Sequence, residues 1–307
     1  MNQRELRSNF LLLITAAIWG FAFVAQRIGA QYVGSYTFNG VRFALGSLSL
    51  VPLLIFFKEK TDSPNNGKFL TKNTLTAGII AGGILFFGAS LQQIGVVYTT
   101  AGKAAFITGL YIVIVPLLGI FLKHRLHTLS WLGVITATAG LYFLSITEKL
   151  TIAKGDLYEL IGALFWALHI LAIDHFSKKS NALKLSLVQF VTCSILSLTA
   201  AVFFEEIRIS AIQQATIPIL YGGICSVGIA YTLQVIGQRN AKPSHAALIM
   251  SLETVFASIG GLLFLREQLN GREYFGCFLM LAGMVLSQIP SMIPTANKKP
   301  VTVTQSN

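Results

Sequence analysis

The residues most able to perform chemistry in this chain are ionisable side chains inside long apolar segments. Glu253 lies near the middle of the apolar run 244–265, and Arg42 lies within the run 36–57. A charge in hydrocarbon is costly, so such a residue usually has a partner, a cavity or a function. Glu253 could carry a coupling proton or bind an ammonium group, and Arg42 could bind a carboxylate through its planar guanidinium.

Each of these residues also has a structural alternative. Glu253 could be buried against neighbouring helices, hydrogen-bonded or paired with Arg42. Arg42 could bury its aliphatic chain and place its guanidinium at the membrane interface. Its position in the span favours this alternative. His169 could relay protons beside Trp166, or it could be a hydrogen-bonded histidine of the core. The sequence leaves these alternatives open.

Two pairs of residues recur at matching positions and are further candidates for a binding site. Gln92 and Gln234 could line a cavity or join helices by hydrogen bonds. Trp19 and Trp166 lie well inside their apolar runs rather than at the interface. They could therefore form a cavity wall, or they could pack in the core.

Lys103 and His245 are a third matching pair, at the starts of the runs 102–122 and 244–265. A helix N-terminus attracts anions, so both residues could flank a substrate. The two runs enter the membrane from opposite sides, which places the two residues at opposite mouths. Anchoring at the interface is the role that these positions favour.

The elements that carry these residues must cross a membrane. Of the 307 residues, 54% are hydrophobic and only 11% are charged, whereas a soluble domain has about a quarter charged residues. A span needs roughly 20 apolar residues to cross the hydrocarbon. The sequence therefore predicts an all-α membrane protein with ten transmembrane helices, over about residues 9–27, 36–57, 75–97, 102–122, 129–147, 155–175, 184–204, 216–236, 244–265 and 272–290.

The net charge of +11 is explained by the way basic residues orient such a protein. With the N-terminus inside, 15 of the 23 Lys and Arg residues fall in cytoplasmic segments, which is the positive-inside bias. We therefore expect a multi-pass protein of the plasma (inner) membrane with both termini in the cytoplasm. The charge requires no nucleic acid as a partner.

The second half of the chain repeats the first. Matches recur in order at offsets of 142 to 147, among them Trp19 with Trp166, Gln92 with Gln234, and Gly140 with Gly283. Each half, 1–150 and 151–290, holds five spans, so the halves must enter the membrane from opposite sides. Residues 291–307 are predicted to form a disordered cytoplasmic tail. Inverted repeats are typical of secondary transporters with a substrate site near the midplane, although a duplication could also only build a stable bundle.

Motifs of other function classes are missing from the sequence. It contains no G-x-x-x-x-G-K-[ST], H-E-x-x-H or G-x-S-x-G motif, so neither ATP hydrolysis nor an enzyme is expected. The three cysteines lie far apart, which predicts no cofactor and no metal. The expected partners are a small-molecule substrate, the lipid bilayer and protons as a coupling ion. An uptake carrier or a channel-like facilitator is an alternative, and a membrane-embedded enzyme is the least favoured one.

Two stretches near the start, TAAIWGFAFVAQRIG and FNGVRFALG, resemble the opening of a repeat in the drug/metabolite transporter superfamily, EamA type. The ends of the two halves, from AAFITGLYIVIVPLLGIF and from AALIMSLETVFASIGGLLF, are similar to the closing helices of that repeat. The resemblance covers about residues 10–290. It implies a ten-helix carrier in a bacterial membrane whose halves rock around a midplane cavity, and it suggests export of amino acids or related metabolites.

The sequence departs from the family pattern at two places. The loop after the fourth span reads Lys123-His124-Arg125-Leu126, without the usual acidic residue, whereas its counterpart contains Glu267. Thr254 stands where the family often has proline. A proline kink is therefore expected only in the fourth span, at Pro116.

Overall fold

The computed structural model describes residues 3–56, 70–121, 128–145, 153–239, 241 and 243–292. Within these residues the secondary structure is helical and includes no strand. The α-helices are α1 Gln3–Gly29, α2 Ser35–Phe56, α3 Lys72–Val97, α4 Ala101–Thr108, α5 Tyr111–Phe121, α6 Thr128–Ser145, α7 Lys154–Ser177, α8 Ala182–Phe204, α9 Ile209–Gln214, α10 Thr216–Leu220, α11 Thr232–Gln238, α12 Pro243–Met250, α13 Glu253–Gly260 and α14 Gly271–Met292. Two π-helical segments, Tyr221–Tyr231 and Gly261–Leu265, continue α10 and α13.

Eight helical stretches of the described chain are long and apolar enough to cross a membrane, judged by length and composition. They correspond to eight of the ten predicted spans, and the all-α class is confirmed for the described residues. The predicted spans 129–147 and 272–290 correspond to α6 and α14, which are not among the eight. A total of ten spans therefore stays a prediction. Most of the predicted loop at 58–73 and of the tail lies outside the described residues.

Helices from the two halves of the chain interleave. α3 packs against α7 and α8, and α2 packs against α8 and the π-helical segment Tyr221–Tyr231. α1 packs against that segment, α11 and α13. The centre of the bundle is therefore surrounded by helices from both halves, because α1 to α6 belong to the first half and α7 to α14 to the second.

α6 and α14 approach each other through glycines that the sequence places at matching positions. A Cβ atom at Gly140 would lie 2.7 Å from the carbonyl oxygen of Gly276, and one at Gly283 would lie 2.6 Å from that of Gly133. The two helices are antiparallel, because residue numbers rise along one as they fall along the other. Only glycine permits a backbone contact this close.

The fourth and ninth predicted spans are interrupted at matching places. Two residues separate α4 from α5, and two separate α12 from α13. In the first break the amide of Leu110 donates to the carbonyl oxygen of Ile107 at 3.1 Å. In the second break the amide of Leu252 donates to the carbonyl oxygen of Ile249 at 3.2 Å. Such three-residue turns tighten a helix locally and re-aim the residues that follow.

The interruption of the fourth span lies apart from Pro116, where the sequence predicts a proline kink. α5 runs through Pro116, and the break lies at Gly109 and Leu110. The ninth span is interrupted without any proline, and there the Thr254 hydroxyl donates to the carbonyl oxygen of Ser251 at 2.9 Å. A side-chain hydroxyl that bonds the backbone in this way commonly accompanies a bend.

Replacing Gly140 with alanine is expected to destabilise the protein. The added Cβ would lie 2.6 Å from the amide nitrogen of Met280, and overpacking of this kind costs roughly 1–3 kcal/mol. The measurement is thermal unfolding of the purified protein in detergent. Gly83→Ala is the matched control, because a Cβ at Gly83 meets nothing within 4 Å. Equal apparent Tm values for the two variants would contradict the close contact of α6 and α14.

Candidate functional site

A cavity lies at the centre of the bundle, between helices of both halves. It leaves about 30 Å³ for the centres of water molecules, which is room for roughly two waters. The cavity is therefore narrow in this conformation, and a metabolite could enter only if it widened. Its wall includes six of the residues that the sequence singles out, namely Trp19, Arg42, Gln92, Trp166, Gln234 and Glu253.

Glu253 is brought to the cavity by the break in the ninth span. It is the first residue of α13 and is 4% exposed. Tyr111 holds the corresponding position as the first residue of α5 and lines the same cavity. The Tyr111 hydroxyl is buried and lies beside the carboxyl of Glu253. Within the same part of the chain, no basic side chain forms an ion pair with Glu253.

Arg42 is buried at this cavity. The sequence favours a position at the membrane interface for its guanidinium, and that prediction is wrong. It is 2% exposed, and its Nε donates to the Oδ1 of Asn39 at 2.9 Å. The guanidinium carbon lies 5.4 Å from the ring centroid of Phe38 and 5.0 Å from that of Phe43. These cation–π contacts replace part of the lost hydration. Arg42 forms no ion pair with any described carboxylate, so its charge is left uncompensated.

Tyr231 is the centre of an aromatic wall on one side of the cavity. Its ring centroid lies 4.6 Å from that of Trp19, edge to face, and 6.2 Å from that of Trp166, nearly stacked. The Nε1 of Trp19 also donates to the carbonyl oxygen of Ser226 at 3.3 Å. Ser226 and Tyr231 belong to the π-helical segment, and such wide turns are frequent at functional sites.

Gln92 and Gln234 both line the cavity but differ in their bonding. The Nε2 of Gln92 donates to the Oε1 of Gln26 at 2.9 Å, which joins α3 to α1. The Oε1 of Gln234 is buried and has no partner within the described chain. Gln92 therefore joins helices at the cavity wall, while Gln234 keeps an acceptor for a ligand or a water molecule.

His169 lies behind the aromatic wall and not among the cavity-lining residues. It is fully buried, and its Nε2 shares a hydrogen bond of 3.0 Å with the Oε1 of Gln189. Its ring meets those of Trp166 and Tyr231 edge-on. Its Nδ1 is buried and has no partner among the described residues. His245 belongs to α12, but its side chain lies outside the described part of the chain.

Lys103 forms an ion pair that joins the two halves. The sequence favours anchoring at the membrane interface for this residue and does not predict the ion pair. Its Nζ lies 3.1 Å from the Oδ2 of Asp156 on α7. The hydroxyl of Thr99 donates to the other oxygen of Asp156 at 3.2 Å. The pair holds the start of α4 against the start of α7.

Glu267 fixes the same end of α4. Its carboxylate accepts hydrogen bonds from the amides of Ala101 at 2.8 Å and Gly102 at 3.1 Å. A carboxylate at this position satisfies amides that have no partner within the helix and interacts favourably with the helix dipole. The start of α4 is therefore bound by carboxylates from two different parts of the second half.

Sequence reasoning missed the two buried carboxylates of α7. It gave no role to Asp156 or to Glu159, which is fully buried. The Oε2 of Glu159 accepts a hydrogen bond of 2.8 Å from the hydroxyl of Thr108, a cavity-lining residue. The available signal was an acidic pair three residues apart at the start of an apolar run, since residues at that spacing share one helix face.

The described residues offer no obvious site for a metal ion. No group of three or more His, Cys, Asp or Glu side chains is arranged to hold one within the described ranges. The cysteines Cys193, Cys225 and Cys277 are free thiols. The cavity instead combines one guanidinium, one carboxyl, neutral polar groups and aromatic rings, which are suited to an organic solute.

The sequence matches a family model over both halves. The model is that of the EamA-like transporter family, and the match covers residues 6–146 and 153–288. A relative in Archaeoglobus fulgidus named "Uncharacterized transporter" is 32% identical over 287 residues, which cover 92% of this chain and 86% of the relative. "Uncharacterized transporter YoaV" of Bacillus subtilis is 22% identical over 283 residues, which cover 90% and 94%. A crystal structure shares the fold with a TM-score of 0.68 and 16% identity, over 93% of this chain and 99% of the other.

Replacing Asp156 with asparagine is expected to destabilise the protein, because Lys103 would lose its partner in a mostly buried site. Removing one member of a fully buried pair costs about 3–5 kcal/mol, and the partial exposure of Lys103 lowers our estimate to about 1–3 kcal/mol. The measurement is the apparent Tm in detergent, and Lys103→Met in the same chain should recover part of the loss.

Asp174→Asn is the matched control for this comparison. Asp174 pairs with Lys178 at 2.7 Å, but the Lys178 side chain is 52% exposed, and exposed pairs contribute little to stability. If Asp156→Asn lowered the Tm no more than Asp174→Asn does, the pair of Lys103 and Asp156 would not fix α4 against α7.

Proposed function

Because the chain belongs to the EamA-like transporter family, we propose that it is a secondary transporter of amino acids or closely related metabolites. One observation carries this proposal. Arg42 and Glu253 are buried in the wall of a single cavity, and neither has an ion-pair partner among the described residues. A solute with one carboxylate and one ammonium group would neutralise both residues at once.

The rest of the cavity wall suits the remainder of such a solute. Trp19, Trp166 and Tyr231 present aromatic surface that can pack against an apolar side chain. The Oε1 of Gln234 is a buried polar atom with no partner in the described structure, and the buried hydroxyl of Tyr111 lies beside the carboxyl of Glu253. We assign the substrate carboxylate to Arg42 and the substrate ammonium to Glu253. The neutral polar atoms complete the hydrogen bonds.

We further propose ten spans arranged as two inverted repeats. The antiparallel contact of α6 and α14 supports this arrangement. Gly140 contacts Gly276, and Gly283 contacts Gly133. Adding 143 to the residue numbers of the first half turns Gly140 into Gly283 and Gly133 into Gly276, so the two contacts are equivalent in the two repeats. The matching breaks in the fourth and ninth spans support it as well. Inverted repeats with broken helices around a midplane cavity are the usual basis of alternating access. In this proposal the halves, 1–150 and 151–290, rock around the cavity.

The protein is a multi-pass membrane protein of a transporter family. For its direction we propose export from the cytoplasm, with both termini cytoplasmic. The distribution of basic residues supports the orientation, and the resemblance of the repeats to EamA-type carriers supports export. A proton gradient is the energy source that we propose, since the chain has no nucleotide-binding motif of the Walker A type.

Transport is expected to be saturable and to require both charged residues of the cavity. Purified protein in liposomes should exchange internal unlabelled amino acids for labelled ones from a mixture of the twenty. Glu253→Gln and Arg42→Gln should reduce this exchange to the level of empty liposomes, because each leaves one charge of the substrate unneutralised. Glu206→Gln is the control, since Glu206 is exposed and pairs with Arg208 outside the cavity.

Substrate analogues sharpen this experiment. Amines without the carboxylate and carboxylic acids without the ammonium group should compete weakly with the labelled amino acid. If no amino acid is exchanged, although the reconstituted protein is folded, the proposed substrate class is wrong. A flux that does not saturate and shows no exchange would instead indicate a channel-like facilitator.

Substrate binding is also expected to change the tryptophan fluorescence. Of the three tryptophans, Trp19 and Trp166 line the cavity, whereas Trp131 lies exposed on α6. Trp131→Phe should therefore keep the substrate-dependent change, and the Trp19→Phe/Trp166→Phe variant should lose it. A change that disappears with Trp131 alone would place the binding site elsewhere.

A further inference from the structure

Glu159 is a buried carboxyl that the substrate site does not use. It lies five residues into α7 and is fully buried. One of its oxygens accepts the hydrogen bond from Thr108, while the other, Oε1, is buried and has no partner within the described residues. No described basic side chain forms an ion pair with it. An ionised carboxylate in such surroundings is strongly unfavourable, so the group is stable here only as a neutral acid.

The charged and titratable groups around Glu159 leave it uncompensated. α7 packs against α3, α4, α5, α11 and α12. On α7 itself the nearby titratable residues are Asp156, which is already paired with Lys103 of α4, Tyr158, and Lys154, whose Nζ lies 4.9 Å from the ring centroid of Tyr98 and forms no ion pair with Glu159. The one charged residue of α3, Lys72, lies at its opposite end, roughly 35 Å away along the helix. α5 contributes the neutral phenol of Tyr111, α11 contributes no titratable residue, and on α12 the titratable residue is His245.

The two repeats show that packing does not require a carboxyl at this position. The side chain of Glu159 covers Gly95, so that a Cβ there would lie 2.7 Å from its Oε1. The residue 147 positions earlier is Leu12, which covers Gly237, the counterpart of Gly95, with a matching distance of 3.0 Å. Leucine therefore fills the same space in the other half. The carboxyl of Glu159 contributes something that the packing of these helices does not need.

The position of Glu159 joins one mouth of the protein to the cavity. Asp156 and Lys103 lie one turn towards the start of α7, where Lys103 is partly exposed. Thr108, the donor to Glu159, lines the cavity. The contacts of Glu159 with Gly95 and Thr108 also join the second half of the chain to the first. When the halves separate at this face, water reaches the carboxyl, and when they close, the carboxyl is removed from water.

We propose that Glu159 carries the coupling proton and that closing the contact between α7 and α4 requires this carboxyl to be protonated. The proposal rests on the transport cycle proposed above. At the open face the carboxylate takes a proton from water and becomes a neutral acid that can be buried. When the opposite face opens, water fills the cavity beside Thr108 and takes the proton of the acid. The carboxylate that remains destabilises the closed contact, which opens again, and the contact can close only after the carboxylate has taken up another proton. One proton crosses the membrane for each cycle.

Variants of Glu159 are expected to separate exchange from accumulation. Glu159→Leu copies the residue of the other half, and Glu159→Gln keeps an acceptor for Thr108. Both remove the proton site while leaving Arg42 and Glu253 intact. In liposomes with an imposed pH gradient, both variants should exchange labelled amino acid at the wild-type rate. Their gradient-driven accumulation should fall to the equilibrium level, and Glu206→Gln should accumulate like the wild type.

Two results in this assay would overturn the proposal. One is accumulation by Glu159→Leu to the wild-type level, and the other is loss of exchange together with accumulation in folded protein, which would make Glu159 part of the substrate site. If the wild type exchanges no amino acid, the transport proposal fails instead. The two proposals are therefore tested by different readouts.

An infrared measurement tests the protonation without any transport. At neutral pH the purified wild type should show the carbonyl stretch of a buried protonated carboxylic acid. The amplitude of this component should fall in Glu159→Gln, whereas it should be unchanged in Glu206→Gln. The same spectrum from wild type and Glu159→Gln would mean that the carboxyl is ionised in the closed contact, and the proposal would be wrong. Size-exclusion chromatography confirms that each variant is folded.

Discussion

The cost of a charge in hydrocarbon is the constraint on which the arrangement of this protein depends. A bilayer supplies neither hydrogen bonds nor counter-ions, so the protein must neutralise each charge inside a span or leave it for a ligand. Lys103 and Asp156 neutralise each other. Arg42 and Glu253 have no such partner in the described structure, and both face the one central cavity. The proposed binding site is therefore a place where neutralisation within the protein is incomplete.

Carboxylates of the second half also hold helices of the first half by their N-termini. Glu267 caps α4, and Glu205 accepts the amides of Tyr36 at 2.8 Å and Thr37 at 2.7 Å at the start of α2. The first half has no acidic residue at 123–126 to return this contact. The helix that corresponds to α4 begins with Pro243, and proline has no amide hydrogen to donate. The loop at 123–126 thus lacks an acidic residue where the facing helix lacks an amide hydrogen that this residue could accept.

Much of the cavity could be predicted from the sequence because its residues either repeat or carry charge. Trp19 and Trp166 are recognisable as a pair, and Glu253 stands out in an apolar run. The direction of Arg42 could not be predicted, because its long side chain can reach either the interface or the interior, and contacts with Phe38 and Phe43 decide between them. These contacts exist only once helices have packed.

Glu159 and the helix breaks escaped prediction for a related reason. A carboxylate near the end of a span is ordinarily hydrated, and only the packing of α3 and α4 over α7 buries Glu159. The break of the fourth span is marked by three-residue hydrogen bonds near Gly109, which the sequence pattern does not show. Periodicity and composition describe each span separately. The burial of one side chain and the exact turn of a helix depend on neighbours that are distant in the sequence.

In the inverted-repeat arrangement proposed above, the two faces of the protein carry unequal residues. An exact inverted repeat would make the two faces of the protein equivalent, and the states open to either side would have equal energy. Here Lys103, Asp156, Glu159 and Glu267 all bind elements at the face where α4 begins. At the other face the contact that corresponds to Glu159 with Gly95 is formed by Leu12 and Gly237. In this proposal, polar contacts close one face more firmly than the other, and a change in the protonation of a single carboxyl at that face alters the balance between the two states.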